Sequence, residues 1–147
     1  MTVINEPSRA LTESLIGCAI AVHDAVGPGF LEAVYQRCFE LELIARGFVY
    51  VRERVIPLVY RGVRIDATYR FDFLVQDSVI IEIKSVESFA PIHRAQVINY
   101  LKLTGAGVGL LMNFNVRSMK AGIRRLEHPD LYRRSLLARA SQLRREQ

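Results

Sequence analysis

The chain has 147 residues, of which 50% are hydrophobic and 24% are charged. These proportions predict one globular domain with a hydrophobic core and exclude an intrinsically disordered chain. No apolar run approaches the length of a membrane span, and the first nine residues lack a signal-peptide pattern. We therefore expect a cytoplasmic protein without a membrane partner.

The cysteines and histidines argue against a structural zinc site. Cys18 and Cys38 fall inside helical patterns without the spacing of metal ligands, and the three histidines are scattered. Both cysteines are predicted to be reduced core residues, as in a cytoplasmic protein.

The net charge of +5 is concentrated near the C-terminus. Residues 1–119 hold twelve basic and twelve acidic side chains, whereas residues 120–147 hold eight basic and three acidic ones. This asymmetry suits a polyanionic partner, although a basic helix exposed to water would show the same pattern. The predicted nucleic-acid-binding residues are Arg133, Arg134, Arg139, Arg144 and Arg145.

Two helices are predicted before the first strand. Residues 9–25 show helical spacing, and Gly27-Pro28-Gly29 then interrupts the pattern. A second helix is predicted over residues 30–46, with Gly47 as its C-terminal stop. Its predicted inward positions are Leu31, Val34, Cys38 and either Leu41 or Ala45.

The remaining pattern predicts an α/β sandwich with a mixed sheet. Residues 48–60 and 63–75 read as strands joined by a turn at Arg61-Gly62, with Pro57 favouring an edge position or a bulge. A hairpin strand, a helix over residues 91–103 and a buried strand over residues 108–112 follow. Another helix is predicted near Ser118, and a final one ends near Arg145.

The chemistry is expected in the hairpin of residues 70–84. Gln76, Asp77 and Ser78 form its turn, so that Val75 pairs with Val79 and Asp72 lies directly across from Glu82. Both carboxylates would then leave the same face, with their Cβ atoms about 5 Å apart. Lys84 follows Glu82 on that face.

Two facing carboxylates in a buried sheet require a positive partner. At about 5 Å they repel by about 3 kcal/mol at an effective dielectric constant near 20. A hard divalent cation, helped by the Lys84 ammonium, would relieve this repulsion. The alternative is a solvated hairpin with a cross-strand Asp/Lys pair, because one turn residue more or less would change the register.

Three further polar groups could belong to the same site. His93, Gln96 and Tyr100 share one face of the predicted helix that follows Lys84, although a polar stripe can simply face water. Glu32 and Tyr35 lie one turn apart after Gly-Pro-Gly, and Glu32 is a candidate third acidic contact to a metal. His23 is a candidate for a supporting role.

Five motifs in order resemble the GxxExxY proteins, a group within the PD-(D/E)XK nuclease superfamily. The likeness spans residues 11–126 and leaves the tail from residue 129 outside. The motifs are Gly29-Phe-Leu-Glu32-Ala-Val-Tyr35, Tyr69-Arg-Phe-Asp72, Ile81-Glu82-Ile-Lys84-Ser-Val, Pro91-Ile-His93-Arg-Ala-Gln96-Val-Ile-Asn-Tyr100-Leu-Lys-Leu-Thr and Gly109-Leu-Leu-Met-Asn-Phe-Asn-Val116.

The resemblance implies a restriction-endonuclease-like αβββαβ core over residues 1–128, followed by a basic helical tail over residues 129–147. Asp72 and Glu82 would bind Mg²⁺ or Mn²⁺, with the Ile83 carbonyl and Glu32 as further ligands. Lys84 would position or activate the attacking water. Gln96 and Tyr100 match a Gln-x-x-x-Tyr motif that holds substrate and supports the site.

The implied function is a metal-dependent nuclease that hydrolyses phosphodiester bonds in DNA. One alternative is a non-cleaving nucleic-acid-binding module that keeps the fold. The other is an interaction subunit, because the tail carries a narrow apolar seam through which a second copy could pair. That seam consists of Leu136 or Leu137, Ala140 and Leu143.

Overall fold

The computed structural model describes residues 3–147, without the side chains of residues 56 and 67–69. Tyr69, which belongs to one of the five motifs, is among the residues whose side chains lie outside this description. Four helices and seven strands follow each other as α1 (Arg9–Val26), α2 (Glu32–Ala45), β1 (Tyr50–Arg52), β2 (Val55–Tyr60), β3 (Val63–Arg70), β4 (Phe73–Val75), β5 (Val79–Lys84), α3 (Pro91–Thr104), β6 (Val108–Asn113), β7 (Ile123–Glu127) and α4 (Pro129–Arg145).

The central sheet has five strands in the order β1-β4-β5-β6-β7. Only the β5–β6 pair is parallel, because α3 carries the chain back across the sheet between these two strands. α3 begins with Pro91 in its first turn and ends at Gly105, whose φ of 78° closes the helix in the left-handed region. The predicted mixed α/β sheet flanked by helices is confirmed.

Helices cover both faces of this sheet. Leu15 of α1 and Phe39 of α2 pack on the face that carries Phe73, Ile81 and Leu110. Tyr100 and Leu101 of α3 pack on the opposite face, against Phe71, Leu74 and Ile80. Each fully buried large apolar side chain stabilises the fold by about 1.5–3 kcal/mol.

α3 lies unusually close to β6. A Cβ atom on Gly109 would overlap the Val97 side chain, so only glycine allows this approach. The close packing fixes α3 above β5 and β6, on the face where Glu82 points by alternation with Ile81 and Ile83.

The two long strands predicted over residues 48–60 and 63–75 are each divided in the structure. β2 and β3 leave the main sheet as a separate two-stranded hairpin, whose register pairs Leu58 with Ile65. A register shift between Val55 and Pro57 agrees with the bulge expected at the proline. β1 and β4 remain in the main sheet, where β4 is buried and β1 forms the partly exposed edge.

The predicted inward face of α2 was wrong. Leu31 is 78% exposed, and Val34 and Leu41 are also exposed, whereas Tyr35 and Phe39 are fully buried. The aromatic rings remove more apolar area from water than the aliphatic side chains, so they determine which side of the helix faces the core. Cys38 is half-buried beside this core and Cys18 is completely buried, and both are free.

The helix predicted near Ser118 was also wrong. A single 3₁₀ turn, Met119–Gly122, leads into β7, which pairs antiparallel with β6. The open edge of the buried strand β6 needs hydrogen-bond partners, and this requirement overrides the local preference of the segment. No helix in the described part of the chain is long and apolar enough to cross a membrane.

Candidate active site

The two predicted carboxylates meet where the β4–β5 pairing stops. Val75 pairs with Val79 and Phe73 with Ile81, which confirms the predicted hairpin register. Asp72 precedes the paired segment, so its backbone N–H is free to donate to Glu82 Oε1 at 2.8 Å. In return, the backbone N–H of Ile83 donates to Asp72 Oδ2 at 2.7 Å. These two reciprocal bonds hold both carboxylates at one end of the strand pair.

The remaining carboxylate oxygens also have partners. Gln36 of α2 donates from Nε2 to Asp72 Oδ1 at 3.1 Å. Lys84 Nζ lies 3.8 Å from Glu82 Oε2. The sequence analysis missed Gln36, although it lies one helical turn after Glu32 and therefore shares its face of α2.

Burial makes this pair of carboxylates hard to ionise together. Glu82 is only 4% exposed. Desolvation raises the pKa of Asp72 to about 6, and the hydrogen bond from Ile83 counteracts part of this rise. Desolvation and the charge of Asp72 raise the pKa of Glu82 to about 8, while Lys84 acts in the opposite direction. The two acids therefore tend to share a proton near neutral pH.

The donor chemistry fits a hard divalent cation. Carboxylate and carbonyl oxygens are the ligands that Mg²⁺ and Mn²⁺ prefer, and a cation would remove the repulsion between Asp72 and Glu82. A residue in a strand directs its N–H and C=O to the same side, so the Ile83 carbonyl shares the side on which its N–H meets Asp72. Within residues 3–147, no three His, Cys, Asp or Glu side chains are arranged to hold an ion. The structure thus presents two carboxylates rather than a complete set of acidic ligands.

Glu32 lies near the pair because its loop is anchored twice. The Tyr35 hydroxyl donates to the Gly27 carbonyl at 2.6 Å and accepts from the Phe30 N–H at 3.1 Å. Ser85, next to Lys84, donates from its hydroxyl to the Phe30 carbonyl at 2.7 Å. Glu32 is the first residue of α2, and its charge raises the pKa of both Asp72 and Glu82. Tyr35 therefore positions the loop that carries Glu32.

The polar residues of α3 divide between two tasks. The Tyr100 hydroxyl donates to the Arg70 carbonyl at 3.0 Å, two residues before Asp72. Gln96, one turn earlier on the same side of α3, is half-buried. His93 accepts from the Ala90 N–H at 3.1 Å and so caps the start of the helix. His23 is hydrogen-bonded to the Val116 carbonyl at 2.7 Å, which joins α1 to the loop after β6.

The predicted nucleic-acid-binding arginines lie apart from the carboxylates. All five are exposed on α4, and Leu131 is the buried apolar residue that fixes the start of this helix. Their hydrogen bonds and ion pairs within the described residues do not involve Asp72 or Glu82. The tail is therefore a separate surface feature.

Comparison with known proteins identifies the superfamily of the chain. No curated protein matches the chain. The chain resembles the crystal structure of an alkaline exonuclease from Laribacter hongkongensis, with a TM-score of 0.44 and 19% identity over 95% of this chain and 81% of that one. A family model of the PD-(D/E)XK nuclease superfamily matches residues 9–126. The chain therefore belongs to the PD-(D/E)XK nuclease superfamily.

Proposed function

We propose that this protein is a metal-dependent nuclease that hydrolyses phosphodiester bonds in DNA. The reciprocal hydrogen bonds between Asp72 and the Glu82–Ile83 segment are the observation that carries the proposal. They keep two mutually repelling carboxylates together in a buried position. Such an arrangement costs stability, and a cation-dependent reaction is a physical reason for keeping it.

Asp72 and Glu82 would hold Mg²⁺ or Mn²⁺, with the Ile83 carbonyl and Glu32 as additional oxygen ligands. When bound, the ion would neutralise the phosphodiester and lower the pKa of a coordinated water. Gln36 fixes the orientation of the Asp72 carboxylate through its amide. Because the Asp72 carboxylate is already oriented, fewer groups have to be ordered when substrate binds.

Lys84 supplies a positive charge at the site in addition to that of the metal ion. Its ammonium lies 3.8 Å from Glu82 Oε2, on the strand that carries that carboxylate. From there it can orient an attacking water and offset the negative charge that builds up on the phosphorus centre. Gln96 and Tyr100 would support the substrate side, and Tyr35, His93 and His23 would keep the surrounding loops and helix start in place.

Two features support the finer assignments of partner and compartment. The excess positive charge in residues 120–147 favours a polyanion such as DNA. The free cysteines Cys18 and Cys38 fit a reducing compartment, and we place the activity in the cytoplasm. Membership of the GxxExxY group remains a prediction from the five motifs.

A homo-oligomer is a second candidate role for the tail. Leu137 and Leu143 are both exposed on α4, as the predicted apolar seam requires. A second copy would remove this surface from water. The pairing is compatible with the nuclease proposal, because it uses a helix remote in sequence from Asp72 and Glu82.

The decisive assay compares cleavage of labelled linear, circular and single-stranded DNA and RNA with Mg²⁺, with Mn²⁺ and with EDTA. We expect cleavage by the wild-type protein that disappears in EDTA and in Lys84→Ala. Conserved folding of the variant is checked by circular dichroism. Equal cleavage by the wild-type protein and Lys84→Ala would refute the proposed site, and cleavage in EDTA would refute the metal requirement.

A further inference from the structure

A groove of about 540 Å³ lies between α3, β7 and α4. Its volume falls in the range of small-ligand sites, roughly 300–1,000 Å³. Three arginines from three different elements line it: Arg94 of α3, Arg125 of β7 and Arg139 of α4. Their convergence could not be read from the sequence, and Arg94 and Arg125 were not among the predicted nucleic-acid-binding residues.

The charge of the groove is almost entirely positive. Glu127 is the acidic residue among its lining side chains, and it forms an ion pair with Arg125 at 3.5 Å. Among the described residues, Arg94 and Arg139 take part in no ion pair. Arg94 and Arg139 are therefore left for an anionic ligand, and Arg125 can exchange its partly exposed partner Glu127 for one. Arg is suited to bind phosphate with two donors at once.

The rest of the lining is apolar and partly aromatic. Tyr132 is 56% exposed in the groove, beside Leu136 and Ile98. A double-stranded helix offers phosphates on its outside but keeps its bases stacked. A single strand offers both phosphates and open base faces, which stack on aromatic side chains and pack on apolar ones.

The groove borders the same sheet as the carboxylate pair. Glu82 pairs with Leu111 of β6, and Leu111 pairs with Arg124 of β7, the residue before Arg125. β7 is the second neighbour of β5 in the sheet, so the two strand axes are about 10 Å apart. A few nucleotides could span this separation.

We propose that this groove binds a nucleotide unit of a single-stranded nucleic-acid segment, with phosphate on Arg94, Arg125 and Arg139 and a base on Tyr132. The assignment rests on the proposed nuclease function, because it identifies the strand state of that substrate. Of the five arginines predicted on α4, it keeps Arg139 as a main phosphate contact, and it adds Arg94 and Arg125.

The test measures binding directly, so that it does not depend on cleavage. Fluorescence anisotropy of a labelled single-stranded oligonucleotide is followed at several salt concentrations, with every protein in a Lys84→Ala background to keep the strand intact. The groove variant is Arg94→Ala/Arg125→Ala/Arg139→Ala. A variant with the same charge change, Arg133→Ala/Arg134→Ala/Arg144→Ala, tests the exposed side of α4. Arg117→Ala is a control on an exposed loop elsewhere.

We expect the groove variant to bind about tenfold or more weakly and to lose about two units of the salt slope, because each phosphate contact on a single strand contributes about 0.7. Tyr132→Ala should weaken binding of the single strand, and Tyr132→Phe should restore it. Arg117→Ala should bind as the parent protein does. All substituted arginines are exposed, so unchanged thermal unfolding is expected throughout.

The outcomes separate this inference from the proposed function. If wild-type protein cleaves nucleic acid but the groove variant binds as the parent does, the groove assignment alone is overturned. A larger loss of affinity in the Arg133→Ala/Arg134→Ala/Arg144→Ala variant than in the groove variant also overturns it. So do equal losses of affinity for single-stranded and double-stranded ligands in the groove variant. Competition by a free mononucleotide as effective as by the strand would assign the groove to a soluble nucleotide instead. If wild-type protein neither binds nor cleaves any nucleic acid, both proposals fail.

Discussion

The carboxylate pair and the arginine groove are built in opposite ways. Around Asp72 and Glu82, each carboxylate oxygen lies near a hydrogen-bond donor or ammonium of the chain, and burial raises the pKa of both acids. In the groove, Arg94 and Arg139 are exposed and free of ion pairs within the described residues. Chemistry needs atoms held in one geometry, whereas attachment to a flexible polyanion needs only charge within reach. Substitutions in the pair should therefore have steep effects, and substitutions in the groove should have shallow, additive ones.

The largest expected effect comes from Glu82→Gln. The amide oxygen can still accept from the Asp72 N–H, but the negative charge that would bind the cation is lost. Cleavage should fall by about a thousandfold or more. The metal-free variant should unfold at the same or a higher temperature than the parent, because a buried like-charge contact has been removed. Undiminished cleavage would show that Glu82 is not part of the site.

The pH dependence of metal affinity should show the next largest effect. The pKa of Asp72 is about 6 and that of Glu82 about 8, both above their unfolded values. A cation must displace the bound proton, so Mn²⁺ affinity should rise by up to about tenfold per pH unit across this interval. Isothermal titration calorimetry measures the affinity. Glu82→Gln should flatten the profile.

The same two pKa shifts determine how the stability of the metal-free protein changes with pH. The folded state keeps protons that the unfolded state has already released, so stability is greatest at low pH within this interval and falls as pH rises through the two raised pKa values. Thermal unfolding in EDTA at increasing pH measures this fall. A rise in stability over the same interval would contradict the burial of the pair as described.

Gln36→Ala tests the contact that fixes Asp72, and its effect should be smaller. Removal of the amide leaves Asp72 Oδ1 without its side-chain donor but keeps the carboxylate. Metal affinity and cleavage should fall by about 10- to 100-fold, as is typical of residues that orient a metal ligand. Gln142→Ala is the matched control, because Gln142 bonds only to Glu146 on the exposed part of α4. Equal effects of the two substitutions would remove Gln36 from the site.

The smallest effect is expected on the exposed side of α4. Leu137 is 61% exposed, so Leu137→Ser should change the free energy of unfolding by less than about 0.5 kcal/mol. Leu131→Ser, on the buried start of the same helix, should cost more than that. Unfolding of both variants is followed at two protein concentrations. A concentration-dependent loss in Leu137→Ser would reveal pairing with a second copy through the tail.

The sequence alone determined the elements whose signals are local. The ends of α1 and α3 follow from a break at Gly27 and from Pro91 and Gly105, and the turn at residues 76–78 fixed the pairing of Val75 with Val79. Side-chain period and turn chemistry need no knowledge of distant residues, so these features could be predicted. The same register predicted that Asp72 and Glu82 lie opposite each other, and the family motifs indicated the same two residues as metal ligands.

Tertiary structure decided the features that depend on what lies across the sheet. The segment after Ser118 became β7 because β6 offered an unpaired edge, and α2 turned Tyr35 and Phe39 inward because the core had room for rings. Gln36 reaches Asp72, and Arg94 and Arg125 line one groove with Arg139, only because separate elements pack side by side. Contacts between residues far apart in sequence leave no periodic signal, so their physical cause appears only when the chain is folded.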